Sequence, residues 1–282
     1  MWIRVDWSSC VVRSGLNRKL EAAGGPERSC LLLALIACLA VGGCGRVMDD
    51  PLPQGGSESS AGASGLVECS VDTVRVDVGD APYCIDAVEV VRSAYRQFLA
   101  ATPAQPAVPG CWWNTSLVPN GWSSGDHGDG ALPATGVDWC DAAAFCQWKG
   151  RSLCGATDDS QLPYGEYAGE SDSWYLACTG GRDQAYPYGT HYDPNACNGA
   201  LGAEPRAAKP GQCEGGLPTL LDLSGNVWEW EGVCDGTDGR YDKCRLRGGS
   251  FGSSSIQLAC AYSAVAERDD IGSNIGFRCC SH

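Results

Sequence analysis

The apolar positions change period several times along the chain, and each change marks an element. Between Leu66 and Val78 apolar and polar residues alternate (Val71, Thr73-Val74, Val76, Val78), the period of a strand. Asp80-Ala81-Pro82 turns the chain, and Tyr83-Cys84-Ile85-Asp86 reads as a second strand. From Glu89 to Ala101, Val91, Tyr95, Phe98 and Leu99 recur at helical spacing until Pro103 stops the helix. Pro103 to Ala134 has no period and is expected as loop, although it carries Cys111-Trp112-Trp113, Trp122 and His127. Asp138-Trp139-Cys140-Asp141 opens a second helix. Asp138 can cap it, and Asp141 three residues on sits where the positive helix end favours a carboxylate. Ala142, Phe145 and Cys146 share one face of this helix, and Gly150 ends it. Beyond Arg151 the Gly/Pro punctuation leaves no helix longer than about two turns. Trp174 to Cys178, Val227 to Trp230, Cys244 to Arg247 and Gly276 to Cys279 are short strand candidates. Two helices beside a small, interrupted sheet predict an α+β domain.

The N-terminal pattern is different. Leu31 to Val41 is an apolar run of eleven residues, against the ~20 that span a bilayer. It fits the apolar region of a signal peptide, with Arg28 just before it. Val41-Gly42-Gly43-Cys44 resembles a bacterial lipobox, which implies lipidation of Cys44; an ordinary cleaved signal is the alternative. Residues 1–27 form a long preceding region, as a downstream start codon would leave. Asp49 to Gly65 is Pro/Gly/Ser/Ala-rich without a period, the composition of a flexible tether. The expected organisation is a signal peptide over 1–43, a lipidated N-terminus and linker over 44–65, and a folded domain over 66–282. Gly45, rather than an aspartate, after the anchor favours the outer membrane of the cell envelope or the cell surface. Contact with the membrane is expected through the lipid alone.

Composition sharpens this reading at two points. The chain has 38 glycines and 15 prolines among 282 residues, which favours a turn-rich fold. It also has 18 cysteines and no CxxC pair. Four of them (Cys10, Cys30, Cys38, Cys44) lie in or at the end of the leader, leaving fourteen, an even number, for disulfides in an oxidising compartment. Five basic and three acidic residues precede Cys44, so the remainder has 15 and 31, a net of −16. A surface that acidic excludes nucleic acid and anionic lipid as charge-driven partners.

The densest chemistry is Asp222-Leu223-Ser224-Gly225-Asn226-Val227-Trp228-Glu229-Trp230, where two carboxylates bracket a glycine turn and offer oxygens to a hard cation. His127, His191 and His282 form no spaced pair, so neither a zinc site nor a Ser-His-Asp site is supported. Gly248-Gly249 lacks the lysine and the strand–helix context of a phosphate loop. Cys197 and Cys213 bracket a short Gly/Pro loop, and Cys234 and Cys244 an Asp/Gly-rich one. Each pair is placed to staple its own loop, worth ~3 kcal/mol for a closed loop of about 15 residues. Other connectivities stay open, because sequence alone does not fix pairings.

Together with Arg247-Gly248-Gly249-Ser250-Phe251 and Asn274-Ile275-Gly276-Phe277-Arg278-Cys279, the Asp222–Trp230 stretch resembles the formylglycine-generating enzyme, or sulfatase-modifying factor, family. Tyr83-Cys84-Ile85-Asp86 with Glu89-Val90, Val137-Asp138-Trp139 with Ala144-Phe145-Cys146, Cys178-Thr179-Gly180-Gly181 and Tyr186-Pro187-Tyr188-Gly189 extend the resemblance over about Gly65 to Cys280. The resemblance implies a C-type-lectin-like fold, low in regular secondary structure and disulfide-rich. It implies bridges Cys146–Cys279 and Cys178–Cys260, leaving Cys69, Cys84, Cys111, Cys140, Cys154 and Cys280 for three unassigned bridges. It implies structural calcium on Asp222 and Glu229 side chains and Gly225 and Val227 carbonyls, and a substrate cleft beside Trp228, Arg247 and Ser250. A second calcium site of the family would begin at Asn198, with Glu204 as its one nearby carboxylate.

The family's enzymes oxidise a sulfatase cysteine to formylglycine with copper(I) on two thiolates, three and eight residues after the Gly-Gly-Ser serine. Here those positions are Ser253 and Leu258. Neither supplies the soft ligand that copper(I) needs, so copper is not expected and no catalytic residue is assigned. The expected function is a surface-anchored binding or structural module for a peptide, protein or glycan. The alternatives are an active formylglycine-generating oxidase and another enzyme on the same scaffold; relatives in ergothioneine-type synthases draw an iron site from a second domain, for which no histidine cluster exists here.

Overall fold

The computed structural model describes residues 4–6, 11–13, 68–77, 81–101, 107–122, 128–157, 162, 164–165, 169–200, 202–237 and 239–282. The apolar leader, Cys44, the tether, Asp80 and His127 lie outside them. The chain forms two compact units, Met1–Gly62 and Ala63–His282. In the first, the described residues are an antiparallel pair, β1 (Arg4–Asp6) and β2 (Val11–Arg13).

The second unit is built on two four-stranded sheets. One has the order β3 (Thr73–Val76), β4 (Tyr83–Asp86), β12 (Cys279–Ser281), β5 (Ser152–Leu153), all antiparallel. The other runs β10 (Ala264–Glu267), β9 (Lys243–Arg247), β8 (Trp228–Cys234), β11 (Ile275–Phe277), with β8 and β11 parallel. Strands β6 (Glu214–Gly215) and β7 (Leu217–Leu221) form a separate antiparallel pair. Because β11 and β12 are separated by Arg278 alone, the end of the chain ties the two sheets together.

Helix α1 (Arg92–Ala101) starts later than the apolar spacing suggests. Val90 accepts from Ala134 N and donates to Phe277 O, and Val91 bridges Pro133, so Glu89–Val91 are held extended before the helix begins. Helix α2 (Trp139–Trp148) begins with a reciprocal capping box between Asp138 and Asp141. The strand expected at Trp174–Cys178 is instead helix α3 (Ser173–Thr179). A short apolar run does not distinguish the two states. The caps do: Asp172 accepts from Tyr175 N at 2.9 Å, and Gly180 closes the helix at φ 60°. A Cβ at Gly180 would stand 2.2 Å from Gly216 O, so glycine is required there.

The larger core is aromatic. Tyr95 and Phe145 stack at 5.6 Å between ring centroids, and Phe98 and Phe277 meet Phe145 edge-on at 5.5 and 5.4 Å. Seven disulfides staple the unit: Cys146–Cys279, Cys178–Cys260, Cys197–Cys213, Cys234–Cys244, Cys69–Cys84, Cys111–Cys140 and Cys154–Cys280. Cys279 and Cys280 are neighbours on β12, and strand alternation sends them to opposite faces. One reaches α2, and the other reaches Cys154 just after β5.

Candidate functional site

The loop entering β8 is held in conformations that ordinary residues avoid. Asp222 and Asn226 have φ of 61° and 59°, and Gly225 has φ 87°. A Cβ at Gly225 would meet Asn198 O at 2.3 Å. Asn226 satisfies every polar atom of its side chain. Its Nδ2 donates to Glu89 Oε2 at 2.6 Å and Arg206 O at 3.0 Å, while its Oδ1 accepts from Arg206 N and Asn198 Nδ2. Asn198 thereby locks this turn together, also donating to Glu204 O at 2.9 Å.

Glu229 is buried and fully engaged. Its Oε2 accepts from Trp174 Nε1 and Arg278 Nε, each at 2.7 Å, and its Oε1 accepts from Arg278 Nη2 at 2.7 Å. Arg278 also donates to the Asp86 and Leu221 carbonyls, both at 3.0 Å. Asp222 is buried too, and its Oδ2 has no hydrogen-bond partner. Glu89, Asp222 and Glu229 all act on Arg278, setting three carboxylates against one guanidinium. Two of these carboxyls, Asp222 and Glu89, hold their protons more tightly than usual. Burial pushes Asp222 up to about 6, against the pull of Arg278, with Glu229 adding to the rise. Burial also raises Glu89 well above the usual carboxylate range, with Asp222 and Glu229 adding. An orphaned buried carboxylate oxygen in a pocket of surplus negative charge fits a hard cation. Among the described residues no three His, Cys, Asp or Glu side chains converge on one point, so such a cation would depend on backbone carbonyls such as those of Gly225 and Val227.

A second charged cluster lies on the same face of the sheet. Glu231 of β8 and Arg245 and Arg247 of β9 meet Asp172 at the start of α3. Arg245 Nη1 donates to Asp172 Oδ2 at 2.9 Å, Arg247 Nη2 donates to the same oxygen, and Arg247 Nε donates to Glu231 Oε2 at 3.1 Å. Arg247, expected at the cleft, is 0% exposed; besides this network, its Nη1 donates to the Ala261 and Tyr262 carbonyls at 3.5 and 3.4 Å.

The positions of the family's thiolates are also filled. Ser253 Oγ accepts from Ser250 N at 2.9 Å and lies 3.4 Å from Ser250 Oγ, which accepts from Asn274 Nδ2 at 3.2 Å. Leu258 is buried against Gly199 and Gly249, whose missing Cβ atoms would stand 2.5 and 2.9 Å from its methyl groups. Trp228 is nearly buried, 6.1 Å from the Tyr262 ring. A cavity of about 420 Å³ adjoins in sequence, lined by Arg92, Asn120, Trp122, Thr135, Ile271 and Ser273. The structure therefore brings Ser250, Ser253 and Asn274 together and leaves Arg247 out. Glu89, Asp172 and Arg278 are the residues to which sequence reasoning gave no role. The signal for two of them was present, Glu89 in its motif beside Val90 and Arg278 in Gly-Phe-Arg, but nothing in the spacing revealed their partners.

The fold and site define a disulfide-stapled α+β scaffold whose motif loops are organised by buried ion pairs, with hydroxyl and amide groups at the candidate site. Residues 54–282 match the sulfatase-modifying factor enzyme 1-like domain, and the chain belongs to that family. It is 33% identical over 191 residues to the inactive C-alpha-formylglycine-generating enzyme 2 of Mus musculus, covering 62% of this chain and 56% of that protein. It is 26% identical over 229 residues to the formylglycine-generating enzyme of Mus musculus, covering 68% of this chain and 54% of that protein. The chain thus spans little more than half the length of these curated relatives. Among solved structures, the crystal structure of CarF covers 74% of this chain and 95% of its own, at 21% identity and a TM-score of 0.49.

Proposed function

We propose that the domain is a non-catalytic sulfatase-modifying-factor module, tethered at the cell envelope, that binds a peptide, protein or glycan. One observation carries this reading: every cysteine from Cys69 to Cys280 is in a disulfide, and the two thiolate positions hold Ser253 and Leu258. Copper(I) requires soft ligands, and neither a hydroxyl nor an isobutyl group supplies one. A relative named as inactive supports the same conclusion. The C-type-lectin-like scaffold then serves as a frame, and the 420 Å³ cavity lined by Arg92, Asn120, Trp122 and Ser273 is the place for a ligand. The decisive assay combines a thiol count on the native domain with copper(I) titration and a cysteine-peptide oxidation assay. Zero free thiols, no tight copper binding and no formylglycine are expected. Formylglycine formation would establish the enzyme instead.

Calcium at the Asp222–Glu229 loop is part of the same proposal. It would neutralise the surplus charge and engage the orphaned Asp222 oxygen, sharing Glu229 with Arg278. Chelation should lower the melting temperature, calcium alone should restore it, and Asp222→Ala should abolish that response. An unchanged melting temperature on chelation counts against the site. Anchoring through Cys44 predicts that Cys44→Ser moves the chain out of the membrane fraction; retention there would refute the anchor.

A further inference from the structure

Strand β10 is the outer strand of its sheet, with β9 on one side and no strand on the other among the described residues. The register tells which of its backbone groups face outward. Arg268 N donates to Asp242 O at 2.9 Å, and this pair continues the β10–β9 register one step beyond Glu267 and Lys243. In an antiparallel ladder successive residues alternate between bonding the neighbour and facing away from it. Ala264 and Ala266 therefore bond β9, while Ser263, Val265 and Glu267 turn their N–H and C=O groups outward.

The outward row is closed at one end. Asp270 Oδ2 accepts from Glu267 N at 2.8 Å, and Asp270 N donates to Glu267 O at 2.9 Å. That leaves Ser263 and Val265, whose outward backbone groups make no hydrogen bond among the described residues. Edges are commonly blunted by lysine, proline or a bulge. Ser263 to Ala266 has none of these, and Val265 is 49% exposed. The flank of the edge is apolar: Tyr262, Ala264 and Ala266 pack half-buried against the larger core. The alanines are short, so larger side chains on an added strand would extend that core.

Charge selects the occupant. Glu267 and Asp270 stand at the closed end of the row, and neither forms an ion pair among the described residues. Lys243, opposite Glu267 on β9, is exposed and makes no ion pair with it. A second copy pairing antiparallel about Val265 would set Ser263, not a cation, against Glu267. It would also bring its own net −16 from the chain beyond Cys44. We propose that β10 takes up an extended segment of a partner protein as an added antiparallel strand. Alternate apolar side chains of that segment lie against Ala264 and Ala266, and a lysine or arginine lies against Glu267. The edge shares no residue with the 420 Å³ cavity and does not rest on the reading given to it.

The test uses the full chain and a capped pentapeptide, lysine-valine-threonine-valine-threonine, followed by calorimetry and by amide hydrogen exchange. In the chain without peptide the Val265 amide should exchange faster than those of Ala264 and Ala266, and saturating peptide should slow it about tenfold. Val265→Pro removes an outward N–H and no ladder bond, so the variant should fold with the parent's melting temperature and bind about tenfold more weakly. N-methylation of the peptide's central threonine should weaken binding in the same way. Glu267→Gln should cost about threefold with this peptide and nothing when norleucine replaces its lysine. The proposal fails if the Val265 amide is already protected without peptide, if peptide leaves its exchange unchanged, or if Val265→Pro binds as the parent does. Equal binding of a peptide with glutamate in place of lysine would also overturn it. Concentration-dependent dimerisation that Val265→Pro abolishes would make a second copy the occupant and refute the partner assignment.

Discussion

Asp141 shows how much a single buried carboxylate can govern. Its Oδ1 accepts from Asn114, and it completes the capping box with Asp138. Burial, together with the neighbouring Asp138, pushes it up to about 7, and burial pushes Asp138 up to about 6. A carboxyl whose folded-state value is raised binds its proton more tightly in the native state. Its contribution to native stability is then fully present below the ordinary value of 3.8 and is lost as pH rises through about 7. Urea unfolding across this window should show a falling midpoint, and Asp141→Asn should flatten the fall. A profile equally steep in Asp141→Asn would assign the dependence to other raised groups, such as Asp86, which burial lifts to about 6. At this scale the cap was legible in the sequence, because Asp138 and Asp141 stand three apart at a helix start. The shifted protonation was not, since Asn114 and the burial around it come from distant loops.

Among the elements, β8 and β9 carry the most instructive pattern. Trp228, Trp230, Cys244 and Leu246 face the apolar core, while Glu229, Glu231, Arg245 and Arg247 lie on the other face. In sequence this is an ordinary half-buried alternation, which places the charged face in water. In the structure both faces are covered, and the charges pair with one another and with Asp172 at the start of α3. Asp172 therefore does two things: it caps a helix and balances two buried guanidinium groups. Asp172→Ala should cost about 3–5 kcal/mol, the scale for removing one partner from a buried charge cluster. Asp138→Ala, a cap without such a duty, should cost about 1 kcal/mol. Chemical unfolding of the two variants checks the difference, and equal losses would mean that the Asp172 network contributes no more than its cap.

For the molecule as a whole, disulfides do much of the work that regular structure does elsewhere. Among the described residues, three short helices and small sheets leave long connections, and the bridges restrict the unfolded ensemble that these connections would otherwise explore. Cys146–Cys279 closes a separation of 133 residues and Cys234–Cys244 one of 10. In the chain-entropy model these are worth about 5 and 2.7 kcal/mol. Replacing the first pair by alanines should therefore lower the melting temperature more than replacing the second, as calorimetry would read. The opposite order would show that the loop between Cys234 and Cys244 is strained when unstapled. A disulfide map by mass spectrometry checks all seven pairings together.

The sequence alone determined the local and the countable. Alternation marked β3, turn and Gly/Pro punctuation marked β4, β8 and β9, the carboxylate spacing marked α2, and an even cysteine count in an oxidising setting marked a stapled domain. The three motif stretches marked the family, and Ser253 and Leu258 marked the positions on which the proposed function rests. Tertiary structure decided whatever depends on contacts between distant segments. It made Trp174–Cys178 a helix, because Asp172 caps it with one oxygen while arginines from β9 hold the other. It paired Cys69–Cys84, Cys111–Cys140 and Cys154–Cys280, because pairing follows proximity in space. It also set Arg278 against Glu229, since a guanidinium 49 residues further on reaches that carboxylate only when β11 lies beside β8.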